Sequence, residues 1–133
     1  MITIAQNPHY SLLYDFSKNR LYFKMSGYWR RPEEVPNYLQ DWRKALKETK
    51  PNFTLLADVS DMVTHPAALR KLHEEAIALC QLAQVKQIAE VTPRDRIAVL
   101  QITAMAQEMK AKFNSFEDRR DAERWLNSED VAV

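Results

Sequence analysis

Residues 53–66 read Phe53-Thr54-Leu55-Leu56-Ala57-Asp58-Val59-Ser60-Asp61-Met62-Val63-Thr64-His65-Pro66. The first seven are a short, nearly continuous apolar run, the signature of a strand covered on both faces. The polar stretch that follows ends in a helix start with proline inside the entrance. From there Leu69, Leu72, His73, Ala76, Leu79, Cys80 and Ala83 recur at spacings of three and four, a clear amphipathic helix. A buried strand running through a loop into such a helix points to an α/β protein.

On the N-terminal side, Tyr10, Leu12, Tyr14 and Phe16 alternate, Ser17-Lys18-Asn19 supplies a turn, and Leu21, Phe23 and Met25 resume the alternation to Gly27. Residues 10–27 therefore read as a β-hairpin. Pro32 and Pro36 suit a first helical turn. Tyr38, Leu39, Trp42, Ala45 and Leu46 then form a helical stripe that Pro51-Asn52 breaks. On the C-terminal side, Lys86–Val91 reads as a strand and Thr92-Pro93-Arg94-Asp95 as a variant capping box, with Thr92 as the N-cap. The helix it opens carries Ala98, Ile102, Met105 and Met109. Lys112–Phe116 is a last strand, and Asp118 and Asp121 frame a final helix with Ala122, Trp125 and Leu126. The expected order is β-β-α-β-α-β-α-β-α in one domain, residues 1–133, with an ordered core of about 10–126. Right-handed crossovers and a largely parallel inner sheet follow from that alternation.

Composition narrows the possible functions. The 133 residues include a single glycine, where roughly nine are usual for this length. A P-loop, a dinucleotide G-x-G-x-x-G turn and a G-x-S-x-G elbow all need more. With 19 basic and 18 acidic residues the net charge is +1, and neither half of the chain is strongly charged. Binding to nucleic acid is not expected. Cys80 is the lone cysteine, which fits a reducing compartment. Met1–Pro8 is short and polar after Ile4, and no apolar run approaches the ~20 residues of a membrane span. A cytoplasmic, soluble protein is the expectation.

Several strings resemble the SpoIIAA-like proteins of the STAS/SEC14-type fold. They are Leu21-Tyr22-Phe23-Lys24-Met25-Ser26-Gly27, Leu55-Leu56-Ala57-Asp58-Val59-Ser60 and the ending Phe116 … Ala122 … Trp125-Leu126. The resemblance spans about Tyr10 to Leu126. It implies one mixed sheet with helices mainly on one side, and a homodimer, because members of this group often pair. The group's anti-sigma factor antagonists carry a phosphorylated serine in an Asp-Ser-x-Gly motif. The equivalent loop here, 58–67, has no such motif and no glycine; Thr64 is its hydroxyl nearest the phospho-acceptor position. The phospho-switch is therefore not expected.

Asp58, Ser60, Asp61, Thr64 and His65 concentrate polar groups at a strand's carboxyl end, where a helix N-terminus adds positive potential. Asp58, Ser60, Thr64 and His65 are the candidate ligand-binding residues; the plainer reading is that they satisfy loop amides and cap the helix. His73 on the apolar stripe reads as a buried histidine with one backbone or hydroxyl partner. Eight residues at ~1.5 Å each set His65 and His73 roughly 12 Å apart on a helix, too far to share a metal. No metal site, cofactor or catalytic set is expected, and Cys80 reads as a small buried hydrophobe. Tyr10, Tyr14, Tyr22, Tyr28 and Trp29 exceed what one sheet face needs, so they are the candidate interface for a dimer mate, another protein or a lipid-like ligand. The first functional expectation is a non-enzymatic interaction or regulatory domain. The second is a carrier or sensor of a small apolar or lipid-like molecule, held between the Met105/Met109 helix and the sheet. The weakest is an enzyme that uses the Asp58–His65 loop with His65 as base.

Overall fold

The computed structural model describes residues 1–63, 65–107 and 111–131, with the side chains of 102, 103, 105, 106 and 129–131 outside that description. Six strands form one sheet: β1 (Ile2–Gln6), β2 (Tyr10–Asp15), β3 (Arg20–Gly27), β4 (Phe53–Met62), β5 (Val85–Val91) and β6 (Lys112–Phe116). The helices are α1 (Tyr38–Glu48), α2 (Ala67–Leu82), α3 (Arg96–Ala106) and α4 (Arg119–Val131), with a 3-10 turn at Pro32–Glu34.

The strands lie in sequence order β1-β2-β3-β4-β5-β6. β1, β2 and β3 pair antiparallel, whereas β3 to β6 run parallel. Strand order and crossover handedness together place the helices. When successive parallel strands are laid down in one direction, right-handed crossovers put every connecting helix on the same face. Accordingly, buried residues of α1, α2 and α3 (Trp42, Leu69, Ala98) join one core cluster with Phe23, Leu55 and Ile88. Helix α4 follows the last strand and has no such constraint. It packs Ala122 and Leu126 on the opposite face, against Tyr22, Leu56 and Ala89.

The opening order is corrected from two strands to three. β1 adds an edge strand over residues read as polar, and Ile2 and Ile4 pack against the core. The Asn7 carboxamide holds the turn after it by accepting from the His9 and Tyr10 amides at 2.9 and 3.0 Å. The start of α3 is also corrected. Asp95, not Thr92, accepts from the Ile97 and Ala98 amides, at 3.0 and 3.4 Å. The Thr92 hydroxyl instead donates to the Phe116 carbonyl. Gly27 ends β3 with φ +76°, a conformation that L side chains rarely adopt. Its carbonyl accepts from the Val63 amide, so the sole glycine ties the β3 exit to the β4 exit.

Helix α4 is bolted to the sheet through a charge. Arg20 is fully buried and donates to Thr54 Oγ1 at 2.8 Å, Glu123 Oε2 at 2.7 Å and Asn127 Oδ1 at 2.8 Å. The Tyr22 hydroxyl donates to the other Glu123 oxygen. Burial and that carboxylate push the Tyr22 phenol up to about 12.

Candidate functional site

Alternation along β4 divides the loop that the sequence presents as one polar group. Leu56 and Asp58 point toward α4, while Leu55, Ala57 and Val59 point toward α2. Asp58 uses one oxygen for the Ser60 amide and hydroxyl, at 3.1 and 2.6 Å. Its other oxygen pairs with Arg119 at 3.3 Å. Asp58 and Ser60 thus satisfy their own loop, as the plainer reading holds. His65 belongs to the other side of the sheet, and Thr64 lies outside the described residues. Of the candidates described, Asp58 and Ser60 thus stand apart from His65.

His65 meets His73 instead, contrary to the spacing estimate. The two rings stack with centroids 5.2 Å apart, and His65 Nδ1 lies 3.0 Å from His73 Nε2. The estimate fails because His65 precedes α2: extended Pro66 lets the chain fold back, and helical side chains lean toward the N-terminus. His65 Nε2 faces the Gly27 carbonyl at 3.4 Å, and His73 Nδ1 faces the Tyr38 hydroxyl at 3.3 Å. A carbonyl only accepts, which assigns the protons along the chain. His65 donates from Nε2 to Gly27, His73 donates from Nε2 to His65, and Tyr38 donates to His73. Every ring nitrogen is engaged with both imidazoles neutral. Burial drives both pKa values down, and His73 falls to about 3. Trp29 stacks on His65 at 5.0 Å and closes the cluster. Gln101 of α3 secures it by donating to the His65 carbonyl at 2.9 Å and accepting from its amide at 3.3 Å.

The aromatic surplus of the hairpin is covered within the chain. Tyr10, Tyr14, Tyr22 and Trp29 are buried; only Tyr28 is exposed. Tyr10 packs edge-on to Tyr38 of α1 and donates to Asp41 at 2.6 Å. Four of the five rings expected at an interface therefore have no surface to offer a partner. The crossover helices cover Tyr10, Tyr14 and Trp29, and α4 covers Tyr22.

Beneath α1 and α2 the packing leaves a cavity of about 90 Å³. The sheet contributes Phe23, Leu55, Ala57, Ile88 and Phe113, and the helices contribute Tyr38, Trp42, His73 and Cys80. Burial raises the Cys80 thiol to about 12, so it remains a thiol. One acid breaks the apolar wall. Glu90 is 3 % exposed, and its Oε2 is buried without a hydrogen-bond partner among the described residues. Burial raises its carboxyl to about 7. Gln87 also has an unpaired buried amide, but it lines none of the described cavities. The Trp42 indole N–H makes no well-formed hydrogen bond. It sits near Tyr38, whose pKa burial raises while the indole opposes the rise.

Sequence reading passed over Glu90 because a lone acid in Lys86–Val91 looks like a solvent-facing position. The signal was its place: Ile88 and Glu90 share a face of a strand that is interior in the sheet. The cavity lies under α1 and α2; the space expected beside Met105 and Met109 falls outside the described residues. Met109 lies outside the described residues, as does the Met105 side chain. Among the described residues no group of three or more potential ligands could hold a metal, and no helix is long and apolar enough to cross a membrane.

Sheet, helices and covered faces together define a SpoIIAA-like α/β fold. A solved structure of an uncharacterized DUF3478-family protein with a SpoIIAA-like fold, from Shewanella loihica PV-4, is similar to this chain, with a TM-score of 0.67. The two are 19 % identical over 92 % of this chain and 98 % of that one, a likeness that shows the fold alone. No protein-family model and no curated protein matches the chain.

Proposed function

We propose that this protein is a non-catalytic binding domain, a carrier or sensor, that holds a small, largely apolar molecule in the cavity under α1 and α2. The observation that carries this reading is Glu90, a buried acid in an apolar wall whose Oε2 has no hydrogen-bond partner among the described residues. An unsatisfied buried polar group costs about 1–3 kcal/mol, and more when charged. A ligand that supplies the missing partner recovers that cost.

The volume limits the ligand. About 90 Å³ is less than the ~150 Å³ of a cavity that takes benzene, so the occupant is a few heavy atoms rather than a lipid chain. Chemistry at the site favours binding over turnover: Cys80 is held as a thiol, and the ring nitrogens of His65 and His73 are engaged. The buried free thiol also suits a cytoplasmic setting.

Native mass spectrometry after mild purification, together with xenon binding followed by NMR, tests the reading. Wild-type protein is expected to admit xenon or carry a small adduct, and Ala76→Phe, which fills the cavity, to lose both. A wild-type chain that carries no adduct and excludes xenon overturns it.

Self-association is a second reading, favoured by α3. That helix, Arg96–Ala106, is mostly apolar, yet Ile97 and Leu100 are 59 and 68 % exposed. A second copy of the chain would cover them. Light scattering that finds a strict monomer at high concentration removes this reading.

A further inference from the structure

From the walls around Glu90 we infer that the occupant of the cavity is a small organic ammonium ion. This rests on the cavity being a binding site and adds the charge and class of what it binds.

Three rings form a continuous wall. Phe23 and Trp42 have centroids 5.1 Å apart, Phe23 and Tyr38 6.1 Å, and Tyr38 and Trp42 6.5 Å. Phe113 of β6 adds a fourth ring to the lining. Ring faces carry the negative lobe of the aromatic quadrupole and attract cations, more strongly when water is excluded. Glu90 supplies a full negative charge when ionised, and among the described residues no lysine or arginine lines the cavity. The other titratable groups facing the space are His73 and Tyr38 from the helices and the Cys80 thiol, all neutral near pH 7. The ionised carboxylate favours a cation, and aromatic rings beside it can share that preference.

Other ligand classes fit less well. An anion would meet the ionised Glu90 with the wrong sign. A hydrocarbon would leave Glu90 unpaired. An alcohol would pair with it but gain nothing from its charge. An ammonium group makes a charge-assisted hydrogen bond to the carboxylate and sets its alkyl groups on the rings. The volume admits only a short alkyl body.

The test compares two small probes of nearly identical shape, ethylammonium chloride and ethanol. Binding is read as NMR shifts of the Trp42 indole N–H and the Ala57 and Ile88 methyl groups. At about pH 8, with Glu90 ionised, the ammonium ion is expected to bind at least about tenfold more tightly than the alcohol. Glu90→Gln is expected to erase that preference and leave the alcohol's affinity unchanged. Because Gln removes a buried charge, the variant is expected to fold. Equal or tighter binding of ethanol by the wild-type chain overturns the ammonium assignment and leaves the cavity reading standing. Absence of shifts from the ammonium ion also overturns the assignment. Xenon then separates the two levels: its entry preserves the cavity reading, and its exclusion removes that reading as well.

Discussion

Replacing Glu90 by Gln should stabilise the protein increasingly as pH rises. Burial holds the folded carboxyl at about 7, against 4.5 for an unperturbed one. Between these values the folded state keeps a proton that the unfolded chain has released. Stability contributed by Glu90 is therefore intact below about pH 4.5, falls as pH rises, and is fully lost above about 7. At about 1.4 kcal/mol per pH decade, the loss is about 3 kcal/mol. His73 tilts the profile the other way. Its pKa falls from 6.5 to about 3 on folding, through burial first and then the neighbouring His65. The unfolded chain thus takes up a proton below 6.5 that the folded chain refuses, and stability drains away as pH falls through that window. The two slopes overlap and oppose, so the wild-type curve alone is uninformative. Urea unfolding followed by tryptophan fluorescence, with wild type and Glu90→Gln matched at each pH, isolates the acid. The difference should move toward the variant by about 3 kcal/mol from pH 4 to pH 8, or about 10 °C in Tm for a chain of this size. Parallel profiles would refute the reasoning, because they would mean that Glu90 ionises in the folded state as readily as in water.

The imidazole chain makes a spectroscopic prediction: long-range ¹⁵N–¹H correlations should show His65 and His73 protonated at Nε2, with His73 neutral down to about pH 3. An Nδ1–H tautomer at His73 would contradict the donor order. Glu123→Ala leaves buried Arg20 short of its carboxylate and should cost about 3 kcal/mol. Hydrogen exchange should quicken most in α4, and a uniform change across the sheet would count against the bolt. Cys80 should resist alkylation in the native state and react only as the chain unfolds, since its thiol is buried and raised to about 12. Rapid labelling under native conditions would show that α2 opens over the cavity.

Much of the fold was legible because its signals are local. The stripe Leu69, His73, Ala76, Cys80 is the buried face of α2, and Lys112–Phe116 is β6 as read. β1 escaped because five residues on a sheet edge carry only Ile2 and Ile4 as a pattern. Thr92-Pro93 imitates a cap so well that Asp95 reads as the box's acid and not as the cap it is. Both errors are choices between local alternatives that only packing resolves.

The site was far less legible. His65 and His73 are neighbours because a loop folds back on its own helix, and residue spacing along a helix axis cannot report that. Tyr10, Tyr14, Tyr22 and Trp29 read as a surplus needing a partner, yet the chain supplies the cover itself through α1, α2 and α4. Glu90 drew no notice as one acid in an interior strand. Periodicity and turn chemistry act between residues a few positions apart, so the sequence by itself determined the elements, their order and the α/β class. What faces what across the sheet depends on crossover hand, register and the gap left between layers. Those non-local quantities alone decided that a carboxylate and aromatic rings from β3, α1, β5 and β6 line one cavity.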